Sequence, residues 1–302
     1  MSPLAIVGII LGYFILLVAI SYFTSKGADN ESFFTGNKNS KWYLVAFGMV
    51  GASLSGVTFV SVPGWVQNSQ FSYMQMVFGY LVGYFIVANV LMPLYYRLNL
   101  TSIYTYLEQR FGFWSYKTGA FYFLLSRIIG ASFRLFLVAS VFQIAVFDSW
   151  GVPFWVTVAI TILLIWIYTF KGGIKTIVWT DTLQTFFMLS AVGITIVVIG
   201  LQLDWSFADM ISQVNHSEYS KLFFFENWID KQYFFKSFLS GVFITIVMTG
   251  LDQDMMQKNL SCKNIKEAKW NMYAMSVVLV VVTFVFLFLG ALLFLYANQK
   301  GI

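Results

Sequence analysis

The chain has 302 residues, of which 59% are hydrophobic and 10% are charged, and its formal net charge is +5. A water-soluble domain carries about 25% charged residues, so this composition excludes a soluble protein and leaves most of the surface facing lipid. Uninterrupted apolar runs of about 20 residues exclude the alternating strands of a membrane β-barrel and predict an all-α membrane protein.

Eight membrane-spanning helices are predicted in chain order. The first is a leader helix, which we expect to be retained because no basic residue precedes it and no small-residue cleavage site follows it. The eight spans cover residues 4–23, 42–66, 73–96, 119–147, 154–170, 176–201, 234–256 and 270–296.

Lysine and arginine residues are divided unevenly between the two sets of connecting segments. One set carries 12 of the 18 basic residues, the other carries 4, and the remaining 2 lie inside a span. Because basic segments stay in the cytoplasm, the larger set is cytoplasmic and the N-terminus is outside. The pattern predicts a multi-pass protein of the bacterial inner membrane. It makes the positive charge a topology signal, so we expect no nucleic-acid partner.

An enzyme is not expected from the residues that could carry chemistry. Cys262 is the single cysteine and His216 the single histidine, which excludes an intrachain disulfide and a histidine-rich metal site. The sequence shows no nucleophile with a base, no cluster of intramembrane acids and no cofactor motif.

The second span contains too many small, polar and helix-breaking residues for a helix that faces lipid. Glycine and proline loosen the backbone ladder, and freed carbonyls at membrane depth are tolerated only where they meet protein or water. Ser53, Ser55 and Thr58, together with Pro63, favour a broken helix that supplies carbonyl ligands to sodium, over close packing through small residues. The residues concerned are Gly48, Gly51, Ala52, Ser53, Ser55, Gly56, Thr58, Ser61, Pro63 and Gly64.

Asp181 lies near the cytoplasmic end of the sixth span, where a carboxylate needs a cation, a partner or water. It is either a residue of a cation pathway or an interfacial carboxylate that pairs with Lys175 or Arg110. The acidic stretch 252–254 closes the seventh span and has the same two interpretations, with a solvated, charge-paired helix end as the simpler one. The long outer connection, residues 202–233, predicts an element resting on the membrane surface rather than a lid over a substrate.

Two arginines lie inside the fourth span, seven residues apart and so nearly on one helical face. Arg134 is the deeper of the two, and Arg127 is the other. Arg134 either binds a substrate carboxylate or caps the carbonyls of a broken helix. Gln75 and Gln143 are weaker candidates, because glutamine commonly forms hydrogen bonds between helices.

Four segments in chain order resemble the sodium:solute symporter family, and together they cover essentially the whole chain. The most specific runs from Gly172-Gly173 through Trp179-Thr180-Asp181 to Gln184. The others are Asp252-Gln253 with Gln257-Lys258 and Lys263-Asn264, then residues 51–56 with Pro63-Gly64, and Tyr104 to Gly112 with Tyr106-Leu107-Glu108 and Arg110-Phe111. Leu251 stands where the family usually has threonine, and Lys258 where it usually has arginine.

The resemblance implies a leucine-transporter-type fold, with two inverted five-helix repeats behind a leader helix. The first repeat would be residues 42–201, and the second would start with residues 234–296. The implied function is symport of a small organic solute (a sugar, an amino acid or a carboxylate) with sodium, by alternating access.

The resemblance also implies the site residues. The carbonyls of Gly51 and Leu54 would bind sodium, and Asp181 would lie on the sodium route. A different alignment of the second span would move the carbonyl ligands to Gly56 and Phe59. The implied substrate contacts are Ser53, Ser55, Thr58, Gln75 and Arg134.

The resemblance implies more helices than this chain contains, because the second repeat stops after its second helix at Ile302. Sodium needs several oxygens at once to offset its dehydration, and an incomplete second repeat supplies too few of them. We therefore expect the chain alone not to transport. The alternative function is a symporter-derived sensor or scaffold that does not transport.

Overall fold

The computed structural model describes residues 3–25, 40–100, 102–169 and 174–301. Within these ranges the chain forms thirteen α-helices and no β-strand, which confirms the predicted all-α architecture. The helices are α1 (Pro3–Ser25), α2 (Trp42–Ser53), α3 (Gly56–Ser69), α4 (Tyr73–Ile86), α5 (Met92–Arg97), α6 (Ile103–Phe111), α7 (Phe113–Phe142), α8 (Phe154–Thr169), α9 (Ile174–Leu203), α10 (Phe207–His216), α11 (Phe234–Thr245), α12 (Gln253–Leu260) and α13 (Ile265–Lys300). Three π-helical segments extend α4, α7 and α11, at Val87–Leu91, Gln143–Phe147 and Ile246–Gly250.

Five of the described helices are long and apolar enough to cross a membrane, and seven spans result if each of two bent helix pairs crosses as one. The remaining predicted span, the fifth in chain order, corresponds to α8, a shorter apolar helix whose predicted end at Phe170 lies outside the described residues. The predicted spans therefore all correspond to helices, although α8 is short for a full crossing.

Two spans are broken. The axes of α2 and α3 differ by 62°, as the small and polar residues of the second span predict. The second break was not predicted, because residues 234–256 read as one continuous span. There the helix ends at Gly250, and α12 begins at Gln253 with a bend of 67°. The prediction of a continuous span is wrong at this point.

The two broken spans lie next to each other around a central helix. α13 packs against α2, α3 and α4, and its buried face includes Met272, Met275 and Phe286. α11 lies along α4, where Gly79 and Gly241 let the two backbones touch. α9 lies along α2, and α12 contacts α2, α9 and α13. These contacts bring both breaks into the interior of the bundle.

The remaining helices lie at the periphery. α7 contacts α6 and α8, and only 6% of its most apolar stretch is buried. The leader helix α1 packs on α8 and α9, and its Thr24 hydroxyl lies 2.6 Å from the Thr176 hydroxyl.

Candidate functional site

The first break, between α2 and α3, leaves carbonyls at the end of α2 without helical hydrogen-bond donors. The Ser55 N–H donates to Thr58 Oγ1 at 3.1 Å, and Ser55 Oγ accepts the Thr58 N–H at 3.4 Å. In a continuous helix these two N–H groups would donate to the carbonyls of Gly51 and Leu54, four residues earlier. The reciprocal cap that starts α3 therefore releases the two carbonyls that the resemblance implies as cation ligands.

Pro63 and Gly64 lie inside α3, about two turns beyond the break. Pro63 is buried against Gly290 of α13, where an added Cβ would collide with the Pro63 backbone. Pro63 thus marks a close helix contact. The break itself is at Leu54 and Ser55, and the close-packing interpretation holds for other small residues of the same span.

Asp181 lies on α9 where this helix crosses α2 at two glycines. A Cβ on Gly48 would lie 3.4 Å from the Asp181 Cβ, and a Cβ on Gly51 would lie 3.3 Å from the Asp181 carbonyl oxygen. The Thr185 hydroxyl lies 3.2 Å from the Phe47 carbonyl and 2.7 Å from the Asp181 carbonyl, and so joins the two helices. Asp181 is therefore beside the first break.

The partner of Asp181 is Lys258 of α12. Their charged atoms, Nζ and Oδ2, are 2.8 Å apart, and the side chains are 5% and 16% exposed. The sequence interpretation named Lys175 or Arg110 as the partner. Arg110 is exposed on α6, and the side chain of Lys175 lies outside the described part of the chain, as do Gly172 and Gly173 of the motif. Asp181 is thus held by a buried ammonium group from the second broken span.

The second break is held by contacts with three other helices, two through their side chains and one through a backbone N–H. Asp252 Oδ1 accepts the Met255 N–H at 3.1 Å and caps α12, while its other oxygen pairs with Arg127 of α7. The Tyr95 hydroxyl donates to the Gly250 carbonyl at 2.9 Å, and Gln253 Oε1 accepts the Ile103 N–H at 2.9 Å. Both acidic residues are therefore charge-paired, Asp252 with a side chain that is 16% exposed and Asp254, beside Lys258, with one that is 44% exposed.

Tyr84 joins the two breaks and was missed from the sequence. Its side chain is buried on α4, and its hydroxyl lies beside the hydroxyls of Ser53 at the first break and Thr249 at the second. Thr249 is itself buried in the π-helical segment. A tyrosine in an apolar span gives no sequence signal of this role, because only the packing of α4 between the two breaks creates it.

Two predicted substrate contacts are not brought to the break. Gln75 is fully buried, and its amide donates to the Ser72 and Gln232 carbonyls and accepts the Phe224 N–H. It fastens the outer connection to the start of α4. Arg134 is exposed on the peripheral helix α7. Ser53, Ser55 and Thr58, by contrast, lie together at the break.

Sequence comparison agrees with this architecture. A family model described as the sodium:solute symporter family matches residues 33–301. The human sodium/iodide cotransporter is 26% identical over 240 residues, which are 79% of this chain and 36% of that protein. The sodium/sialic acid symporter NanT of Aliivibrio fischeri is 26% identical over 291 residues, 92% of this chain and 55% of that protein. The chain thus spans about a third to a half of the length of these relatives.

A solved structure of a sodium-coupled sialic acid symporter, in a substrate-bound outward-open state, superposes with a TM-score of 0.83. The match covers 97% of this chain and 62% of that chain, at 22% sequence identity, and it confirms the leucine-transporter-type fold. The family match covers far more than half of the chain. On this evidence of sequence and fold, the chain belongs to the sodium:solute symporter family.

Proposed function

We propose that this protein takes part in sodium-coupled symport of a small organic solute by alternating access. The observation that carries the proposal is the pair of carbonyls, Gly51 and Leu54, that the Ser55–Thr58 cap deprives of their helical donors. Sodium is a hard cation that binds oxygen, and broken membrane helices supply such oxygens to coupling ions.

Asp181 adds the negative charge that a carbonyl pair lacks. Its backbone contacts Gly51, and its carboxylate is 16% exposed at the junction of α2, α9 and α12. An intramembrane carboxylate in a partly accessible position is typical of an ion pathway. We assign Asp181 to the route by which sodium reaches or leaves the first break.

The solute contacts proposed at the break are Ser53, Ser55 and Thr58. The Ser55 and Thr58 hydroxyls accept the two backbone N–H groups of the cap and lie 3.3 Å apart, so one can donate to the other and the second keeps its O–H to donate to a solute oxygen. Such donors suit sugars, amino acids and carboxylates alike. Sialic acid, a monocarboxylate and iodide, which the names of relatives give as their solutes, are the first compounds to test.

The arrangement in the membrane follows from the charge pattern. We place the protein in the bacterial inner membrane with its N-terminus outside, so that the Asp181–Lys258 pair lies toward the cytoplasm. The two bent spans, at 62° and 67°, support the interpretation of residues 42–201 and 234–296 as the first repeat and the start of an inverted second one.

A thermal-stability screen of the purified protein tests the proposal. Sodium, compared with potassium at equal ionic strength, should raise the melting temperature, and a transported solute should raise it further only when sodium is present. Asp181→Asn should remove the sodium effect. Asp204→Asn is the matched control, because Asp204 is exposed just beyond the other end of α9 and asparagine tolerates its positive φ.

Uptake into proteoliposomes under a sodium gradient tests the transport step itself. Uptake by this chain would confirm symport and overturn the expectation that these helices cannot transport alone. Solute binding that is indifferent to sodium, or a sodium effect that survives Asp181→Asn, would contradict the proposal.

A further inference from the structure

The Asp181 carboxylate is already paired with a positively charged side chain of the same protein. The Lys258 ammonium lies 2.8 Å from one Asp181 carboxylate oxygen, and the lysine side chain is only 5% exposed. A lysine is almost never buried unless it is paired. The pair therefore fills, with a tethered charge, the place that an arriving cation would take.

Lys258 belongs to a short helix that is held at both ends by ion pairs. Asp252, which caps α12, pairs with Arg127 of α7, and Lys258, in its last turn, pairs with Asp181 of α9. The first pair involves an arginine that is 37% exposed, whereas the second is buried. α12 also contacts α2 and α13 in the core of the bundle, so release of Lys258 would free one end of a helix that reaches this core.

The same helix offers Lys258 a second partner whose side chain is more exposed. Asp254, one turn earlier, lies with its carboxylate oxygen 3.8 Å from Lys258 Nζ, and its side chain is 44% exposed. A small movement of the flexible lysine stem would exchange the buried carboxylate for the exposed one. The ammonium could thus leave Asp181 without losing its counter-charge.

We propose that Lys258 competes with sodium for Asp181. The Lys258 ammonium pairs with Asp181 until a sodium ion displaces it toward Asp254, and this displacement releases the C-terminal end of α12. The inference rests on the sodium route proposed above and adds a residue that sets its affinity and couples it to movement. One buried carboxylate cannot neutralise two cations, since the repulsion between them is poorly screened there. Sodium binding at Asp181 and the Lys258–Asp181 ion pair therefore exclude each other.

The competition predicts opposite effects for two substitutions at one position. Lys258→Gln removes the competing charge and should bind sodium more tightly. If the Lys258–Asp181 pair is formed in nine of ten unmodified molecules, the half-saturating sodium concentration of the variant is lower by about tenfold. Lys258→Arg should raise that concentration, because the guanidinium fork can hold both Asp181 and Asp254 at once. Lys266→Gln, an exposed lysine in the first turn of α13, is the matched control and should leave it unchanged.

The experiment is a titration of the purified protein with radioactive sodium ions, at constant ionic strength kept with choline chloride. A Lys258→Gln variant with unchanged or weaker sodium binding than the unmodified protein would overturn the inference and leave the sodium site intact. Absence of saturable sodium binding in both proteins would overturn the inference together with the proposed function.

A second measurement on the unmodified protein covers the case in which Lys258→Gln does not fold. Amine-reactive labelling, read by mass spectrometry, should modify Lys258 slowly in choline and several times faster in sodium, because sodium drives the ammonium toward water. Lys266 should be labelled equally in both salts. Equal labelling of Lys258 in both salts, at a sodium concentration that saturates binding, would overturn the inference.

Discussion

Substitution of Gly51 by alanine tests how closely α2 and α9 approach at the first break. The new Cβ would collide with Thr185 Oγ1 and lie 3.0 Å from Thr185 Cβ. Relief requires either rotation of Thr185, which breaks its contacts with the Phe47 and Asp181 carbonyls, or separation of the two helices. Both responses disturb the region where the proposed ligands lie.

The expected loss follows from three contributions. Overpacking of this kind costs about 1–3 kcal/mol, and a lost hydrogen bond within a membrane about 0.6 kcal/mol. The better helix propensity of alanine returns about 0.5–1 kcal/mol. We therefore expect Gly51→Ala to lower the free energy of unfolding by about 1–3 kcal/mol.

The assay is unfolding of the purified protein from mixed micelles by increasing sodium dodecyl sulfate, followed by circular dichroism. Gly193→Ala is the control, because Gly193 lies on the exposed side of α9 and a Cβ there meets nothing within 4 Å. This control should change the unfolding free energy by less than about 0.5 kcal/mol. If Gly51→Ala proves as stable as Gly193→Ala, the close crossing of α2 and α9 at Asp181 is wrong.

Three further predictions concern the second break, the outer connection and the buried thiol. Tyr95→Phe removes the 2.9 Å hydrogen bond to the Gly250 carbonyl and should lower the unfolding free energy by about 1 kcal/mol. Tyr122→Phe, at an exposed site, should not lower it. Equal unfolding free energies of the two variants would contradict this prediction. Gln75→Leu leaves the Phe224 N–H and the Gln232 carbonyl without their partner. Limited proteolysis should therefore cut residues 221–233 faster than in the unmodified protein. An unchanged rate of cleavage would show that Gln75 does not hold this segment in place. Burial raises the pKa of the Cys262 thiol to about 12, so the thiol stays protonated at all pH values well below that and should react with maleimide only after unfolding in dodecyl sulfate; fast labelling of the folded protein near neutral pH would refute this.

The first break could be predicted from sequence because its chemistry is local. Ser55 and Thr58 are three residues apart, so one residue's hydroxyl can reach the other's backbone whatever the rest of the fold does. Its position was harder to predict, since Pro63 is the strongest helix breaker in the span and yet lies within α3. Packing of Pro63 against Gly290 offsets its local effect there.

The second break and the partner of Asp181 could not be predicted, because both depend on contacts between distant segments. Lys258 is 77 residues from Asp181, and Arg127 is 125 residues from Asp252. Gly250 and the polar residues 252–254 mark the place of the bend, but in the local pattern they are also compatible with the solvated end of a continuous span. Tertiary packing decides which charges meet, and a sequence motif does not state how its residues pair.

The buried pair between Lys258 and Asp181 needs a reason other than stability. Removing two charges from water carries a penalty of several kcal/mol per ion, and well-packed apolar residues in their place are often as stable or more stable. A chain in which 10% of the residues are charged nevertheless places two of them in this junction. Arg127 and Asp252 do the same at the other end of α12, where the arginine side chain is 37% exposed. An arm fastened by charges rather than by apolar packing can be released by an ion, and apolar packing cannot. The proposed movement of α12 between two states that sodium distinguishes would give the charged residues at both of its ends such a reason.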